Sequence, residues 1–353
     1  MVKAIVQYEH GGPETMKWED VTVGKPGPGE ARVRHTAVGL NYIDVYFRTG
    51  LYPAPLPITT GMEAAGVIEE LGEGVTGFKV GDRVAYAGRP IGAYSEARVM
   101  PIDNLITLPD SIDDQTAAAM MLQGMTTEYL LQRTFHVKQG DTILFHAAAG
   151  GVGLFACQWA KHIGATIIGT VGSEEKAELA KAHGCTHTIL YREEDFQKKV
   201  MEITDGKGVP VVYDSIGKDT FEKSLDCLSP RGLMVSFGNS SGPVTGVDLA
   251  ILGAKGSLYV TRPSLMAYNA TRPALEKSAA DMMALVGSGA IRAGFELIFK
   301  PVHVVTHAAS IGAKMCVPDR YRISCGRRGK CCKCNRGAGN SCRQAQCPVI
   351  IFP

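Results

Sequence analysis

A chain of 353 residues, 45% hydrophobic and 20% charged, has the composition of a globular protein, and its length exceeds what one core usually supports, so two domains are expected. It has no run of about 20 apolar residues, which excludes a membrane-spanning helix, and Met1 to Gly12 lacks the apolar stretch of a secretory signal, so the cytoplasm is the expected compartment. The net charge of +2 is uneven: residues 316–353 carry eight Lys or Arg against Asp319 alone, residues 1–315 carry −5, and this mildly acidic body makes nucleic acid an unexpected partner.

The first ~120 residues predict short strands at 3–8, 30–38, 63–71 and 82–86. Turns such as Gly11-Gly12-Pro13 and Pro26-Gly27-Pro28-Gly29 separate them, the signature of a small barrel or sandwich. Asp113 and Asp114 then precede residues 115–133, rich in Ala, Met and Leu, which read as one long helix or two short ones. From Asp141 onward strands and helices alternate. Strands are expected at 142–147, 165–171, 188–191, 211–213, 233–237 and 258–260, and helices at 151–162 (closed by Gly164) and 174–183 (closed by Gly184). Such alternation implies a doubly wound parallel sheet. A last helix at 272–286 is expected to lead back to the first domain.

One loop carries the chemistry. His146-Ala147-Ala148-Ala149-Gly150-Gly151-Val152-Gly153 follows a predicted strand and opens a predicted helix. Read from Ala148, it fits G-x-G-x-x-G with Ala in place of the first Gly. Gly150 allows a pyrophosphate to approach the backbone, Gly153 allows the helix to pack on the sheet, and the free N–H groups and dipole of the helix N-terminus favour phosphate at Gly151 and Val152. An NAD site would place an acid at the end of the second strand, but Thr170-Val171-Gly172 has none. Ser173 and Lys176 instead offer hydroxyl, N–H and ammonium to a 2′-phosphate, so NADPH is the expected cofactor. Glu174 and Glu175 favour the plainer reading of Lys176 as a surface lysine. Tyr191 reads either as a neighbour of the adenine or phosphate or as a half-buried strand tyrosine. Ser215-Ile216-Gly217 and Phe237-Gly238-Asn239-Ser240 follow later strands, where ligands of such sheets bind.

This order of domains resembles the medium-chain dehydrogenase/reductase superfamily. Where its zinc alcohol dehydrogenases use Cys and a His-Glu pair, this chain reads Gly39-Leu40-Asn41-Tyr42-Ile43-Asp44 and Gly61-Met62-Glu63, and residues 1–156 hold no Cys. No metal site is expected there, and without a Lewis acid a hydride acceptor suits the chain better than an alcohol. Those stretches, with Gly50-Leu51-Tyr52-Pro53, Glu63-Ala64-Ala65-Gly66, Val212-Tyr213-Asp214-Ser215 and Gly238-Asn239-Ser240-Ser241-Gly242, resemble the zinc-free quinone oxidoreductases (the NADPH:quinone reductase and zeta-crystallin-like branch) from Met1 to about Arg292. The resemblance implies a GroES-like catalytic domain (1–122, completed by 263–315), a Rossmann NADP-binding domain (123–262) and an atypical tail (316–353). It implies that Asn41 and Tyr46 lie at the nicotinamide, that Thr126 and Tyr129 contact the cofactor, and that Tyr52 borders the acceptor. It also implies direct hydride transfer from NADPH to a quinone, and a homodimer with its seam at the edge strand 258–260. Tyr46 either donates a proton to the quinone or only walls the pocket, and Asp44 reads as a turn or hydrogen-bonding residue rather than an acid. The competing functions are an NADPH-binding protein with little catalysis, crystallin-like or RNA-binding, and an enone reductase.

The tail departs from the family. Beyond about Lys300 a helix and a final strand are due, yet residues 318–353 are rich in Arg, Gly and Cys without periodicity. Among Cys325, Cys331, Cys332, Cys334, Cys342 and Cys347 only Cys331 and Cys334 have C-x-x-C spacing, and the lack of a second such pair weakens a zinc reading. An altered reading frame or alternative exon leads, ahead of a tail without function and of a metal or nucleic-acid role.

Overall fold

Short strands broken by Gly and Pro turns build the first part of the chain: β1 (Val2–Gln7), β2 (Met16–Val21), β3 (Glu30–Gly39), helix α1 (Tyr42–Arg48), β4 (Ile58–Thr59), β5 (Glu63–Leu71), β6 (Arg83–Ala87), β7 (Ala97–Pro101) and β8 (Ile106–Thr107). The computed structural model describes residues 1–293 and the strand Ile298–Phe299. Every pairing in this part is antiparallel, with β3 between β5 and β7, β6 between β5 and β8, and β1 between β2 and β4. Ile5, Val33, Val38, Ile68, Val84, Tyr86 and Leu105 form its core.

Helix α2 (Asp114–Glu128) starts at Asp113, whose carboxylate accepts from Thr116 N at 2.7 Å. Ala117 to Met121 are buried without interruption, as in a helix enclosed on all sides. A π-helical turn, Tyr129–Thr134, ends the segment read as one helix or two. Then follow β9 (Thr142–Phe145), α3 (Gly151–Ile163), β10 (Thr166–Val171), α4 (Glu174–Ala182), β11 (His187–Leu190), α5 (Phe196–Ile203), β12 (Val209–Asp214), α6 (Phe221–Asp226), β13 (Leu228–Ser236), α7 (Ala250–Ala254), β14 (Tyr259–Thr261), α8 (Leu265–Tyr268), α9 (Arg272–Gly287) and β15 (Ile298–Phe299).

The later strands form one parallel sheet in the order β11-β10-β9-β12-β13-β14. Numbered from β9 that is 3-2-1-4-5-6, the doubly wound dinucleotide-binding order. Its strands are buried on both faces: Ile143 and Phe145 join the core shared with α2 and α3, while Leu144 joins Ile168, Val212 and Met234 on the other side. Helix α2 packs on β3, β5 and β6 and also on α3 and α9, so it welds the two sheets together. From α9, Arg272 donates to the carbonyls of Ile102, Asp103 and Leu105, so that helix does return to the first part of the chain.

Several expectations need correction at their edges. Ala147, placed at a strand end, turns with φ +55°. Tyr191 and Phe237 lie just past strands that end at Leu190 and Ser236. Helix α1 and strands β2 and β7 were not expected at all. The Cys- and Arg-rich segment 316–353 lies outside the described residues. So does most of the expected completion of the first domain beyond residue 293, except β15, which pairs antiparallel with Val38 and Gly39 of β3. Among the described residues no helix is long and apolar enough to cross a membrane.

Candidate active site

Between β9 and α3 the chain turns through Ala147 and enters the helix at Gly150, whose N–H donates to Ala147 O at 2.8 Å. Leu154 N bonds back to Gly150 O, so the N–H groups of Gly151, Val152 and Gly153 precede the first helical bond and lack helical partners. Gly153 is sterically required, and Gly151 is held close by a side chain. A Cβ on Gly153 would lie 2.7 Å from Ala148 Cα, and one on Gly151 would lie 2.6 Å from Gln123 Nε2. The loop is therefore a bare backbone cradle at a helix N-terminus beside the first strand, which fits a dinucleotide pyrophosphate.

At the end of β10, Gly172 stands against the Tyr191 ring, which a Cβ would meet at 3.5 Å. The Ser173 hydroxyl caps α4 by accepting from Lys176 N at 3.4 Å. Lys176 itself is exposed, in the first turn of α4. Arg192, absent from the sequence reading, lies over the Tyr191 ring at 5.9 Å. Hydroxyl, phenol and cations thus occupy the place where an NAD site would carry an acid.

The loops after β12 and β13 interlock. Buried Asp214 accepts from Ile216 N at 2.7 Å, Gly217 N at 3.0 Å and Thr220 Oγ1 at 2.7 Å, which shapes the turn through Gly217 at φ +94°. Ser240 N donates to Ser215 O, and Ser241 N to Ile216 O. Gly238 is pressed against Ser215, leaving 2.8 Å between a Cβ and Ser215 Cα. Phe237 packs on Phe145, with ring centroids 5.7 Å apart.

The opposite wall comes from α1. Asn41 caps it, and Asp44 reaches back to accept from Asn41 N at 2.9 Å while taking Tyr94 OH at 2.7 Å, so Asp44 is a hydrogen-bonding residue at the start of a helix the sequence did not announce. Burial pushes the Asp44 carboxyl up to about 7, against the pull of those hydrogen bonds. Tyr46 OH accepts from Asn239 N at 2.8 Å, and burial keeps this phenol protonated well above its ordinary range. Tyr52 OH accepts from Arg262 Nη2 at 3.2 Å, and Arg262 also donates to the carbonyls of Ser236 and Gly238. The rings of Tyr42, Tyr46 and Tyr52 follow one another at 5.2 and 5.0 Å. Tyr46 and Tyr52 therefore join α1 and the residues after it to the segment Phe237 to Ser240, Tyr46 directly and Tyr52 through Arg262.

Thr126 and Tyr129 lie deeper. Both are buried, and Tyr129 opens the π turn with its ring stacked on Tyr268 at 4.6 Å. The sequence reading missed Glu63, Gln123, Arg192 and Arg262. Glu63 ends the stretch Gly61-Met62-Glu63, but nothing in that stretch shows that it is buried and bonded to Asn41. Among the described residues no group of three or more His, Cys, Asp or Glu is placed to hold a metal.

Comparison with known proteins agrees with this geometry. Residues 27–110 match the alcohol dehydrogenase GroES-like domain, and residues 151–280 match the zinc-binding dehydrogenase family. A quinone oxidoreductase of Pseudomonas aeruginosa is 58% identical over 293 residues, 83% of this chain and 90% of that protein. A 2-haloacrylate reductase of Burkholderia sp is 48% identical over 307 residues, 85% of this chain and 92% of that one. The crystal structure of Escherichia coli quinone oxidoreductase complexed with NADPH superposes with a TM-score of 0.85 at 47% identity, covering 89% of this chain and 97% of its own. The parallel sheet is thus a Rossmann-type sheet, the antiparallel part is a GroES-like domain, and the chain belongs to the quinone oxidoreductase family of the medium-chain dehydrogenases/reductases.

Proposed function

We propose that this protein is an NADPH-dependent quinone reductase that passes a hydride directly to a quinone held between α1 and the loop after β13. The observation that carries this reading is the junction of the two parts, where Tyr46 OH of α1 accepts from Asn239 N of the loop after β13 at 2.8 Å. Bound NADPH supplies the hydride from C4 of its nicotinamide. The residues do the rest. Gly150, Gly151, Val152 and Gly153 hold the pyrophosphate, and Gly172, Ser173, Lys176 and Tyr191 hold the 2′-phosphate end. Ser215, Ile216, Gly217 and the stretch Phe237 to Ser240 form the shelf under the ribose and nicotinamide, with Asn41, Tyr46, Thr126 and Tyr129 on the facing side. Tyr52 borders the acceptor. Because Tyr46 OH accepts from Asn239 N, its own proton points elsewhere, and we assign it to a quinone oxygen. Positioning the two rings and excluding water supply most of the catalysis.

Purified protein tests this directly. Loss of NADPH absorbance that begins only when a quinone is added supports the reading; NADPH binding without turnover on any quinone overturns it. A second acceptor class, an activated alkene such as an enone, is favoured by the 48% identity to a 2-haloacrylate reductase, and the same assay with an enone measures it.

The domain division 1–122 with 263–315 and 123–262 is proposed on the same basis, as is a cytoplasmic location without nucleic-acid partners. A homodimer is supported by β14, which ends the parallel sheet with Tyr259 61% and Val260 41% exposed.

A further inference from the structure

Glu63 is a fully buried carboxylate that the proposed reaction does not use. It opens β5 and fits only because residue 39 is Gly, whose Cβ would lie 2.8 Å from Glu63 Cδ. One oxygen accepts from Leu122 N on α2 at 2.7 Å, and the other from Asn41 Nδ2 at 2.6 Å. The Asn41 amide is thereby turned so that its Oδ1 accepts from Gln123 Nε2 at 3.2 Å. Gln123 in turn lies against Gly151 at the mouth of the phosphate cradle. A chain of hydrogen bonds thus runs from β5 of the GroES-like domain to Gln123 of α2, whose side chain packs against the first residue of α3.

We propose that Glu63 is a positioning residue for the cofactor site, setting through its charge which way the carboxamides of Asn41 and Gln123 face. The inference rests on the proposed placement of Asn41 at the nicotinamide side. An amide chain of this kind has two polarities. An ionised Glu63 can only accept, so Asn41 must offer it Nδ2 and present Oδ1 to Gln123. A neutral group at position 63 that donates to Asn41 reverses both amides, and the cradle then meets the wrong end of each. Burial pushes the Glu63 carboxyl up to about 8; the bonds from Asn41 and from Leu122 and Met121 N act against this, and the nearby Asp44 charge adds to it. The groups facing it are Asp44 from α1, Tyr94 from the loop before β7, the neutral Gln123 and backbone amides of α2, and Gly39 of β3.

The test is a double-mutant cycle on NADPH affinity, read by fluorescence titration of the full chain, with Glu63→Gln, Asn41→Ala and the double variant. Above pH of about 8 the Glu63→Gln chain is expected to bind NADPH about tenfold more weakly, the size of one charged hydrogen bond. The double variant should bind no more weakly than Asn41→Ala alone. Wild-type affinity should fall as pH drops through about 8, and that inflection should vanish in Glu63→Gln. A Glu63→Gln loss that persists in full in the Asn41→Ala background, or a pH inflection unchanged by Glu63→Gln, overturns the positioning role. Wild-type affinity in Asn41→Ala overturns the placement of Asn41, and the proposal with it. If Glu63→Gln does not fold, Gln123→Ala serves instead: it breaks the link from Asn41 to the cradle, so the wild-type pH inflection in NADPH affinity should shrink, and an unchanged inflection overturns the role.

Discussion

The two walls of the cleft are made of different material. The Rossmann side offers backbone: N–H groups of Gly151 to Gly153, the turn through Gly217, and Gly153 and Gly238, whose Cβ would run into the main chain. The GroES-like side offers buried side chains held by their neighbours: Asn41 by Glu63, Asp44 by Tyr94, and Tyr46 by the main chain of Asn239. A backbone site fails by steric intrusion and is indifferent to pH, whereas a side-chain site fails by loss of a partner and titrates with its carboxyls.

The largest expected effect breaks the backbone wall. Gly153→Val should abolish NADPH binding and cost about 1–3 kcal/mol of stability, because its Cβ has no room beside Ala147 and Ala148; calorimetry and NADPH titration read both. Next is the side-chain wall. Tyr46→Phe should lower kcat about 10²-fold while leaving NADPH affinity near wild type, as loss of a proton donor does; a change of less than twofold would make Tyr46 a pocket wall only. Smaller still, Lys176→Ala should weaken NADPH about tenfold and leave NADH unchanged, since only the 2′-phosphate loses a partner. Equal losses for both nucleotides would overturn that assignment.

The smallest effect is on stability. Asp44 and Glu63 both hold their protons more tightly in the folded chain than in the unfolded one. Their contribution is therefore full below the ordinary carboxylate range and is lost as pH rises to about 7 for Asp44 and about 8 for Glu63. Urea melts across this window should show wild-type stability declining toward alkaline pH, and a flatter profile for Glu63→Gln. The pH at which Glu63 is best ionised for the cofactor is thus the pH at which its burial destabilises most.

The same contrast decides what was legible in the sequence. Gly150 and Gly153 announced the phosphate cradle because spacing alone encodes a strand, a tight turn and a helix start. The missing acid at Gly172 and the missing zinc ligands around Asn41 and Met62 were equally plain. The other wall was legible only through family resemblance. Helix α1 went unseen because a seven-residue helix has too few turns to show a period, although Asn41 and Asp44 were in place as its capping box. Glu63 and Gln123 meet Asn41 from 22 and 82 residues away, a pairing that no local pattern encodes. Arg262 reaches Tyr52 over 210 residues in the same way.

The central claim is that the two walls bring a nicotinamide and a quinone together for direct hydride transfer. A single-turnover reaction of the full chain with one equivalent of NADPH and excess quinone tests it. Deuterium at the transferred C4 position should slow NADPH consumption by a primary isotope effect, with one quinone reduced per NADPH consumed. NADPH that binds but is not consumed, or is consumed at the same rate with and without quinone, would contradict it.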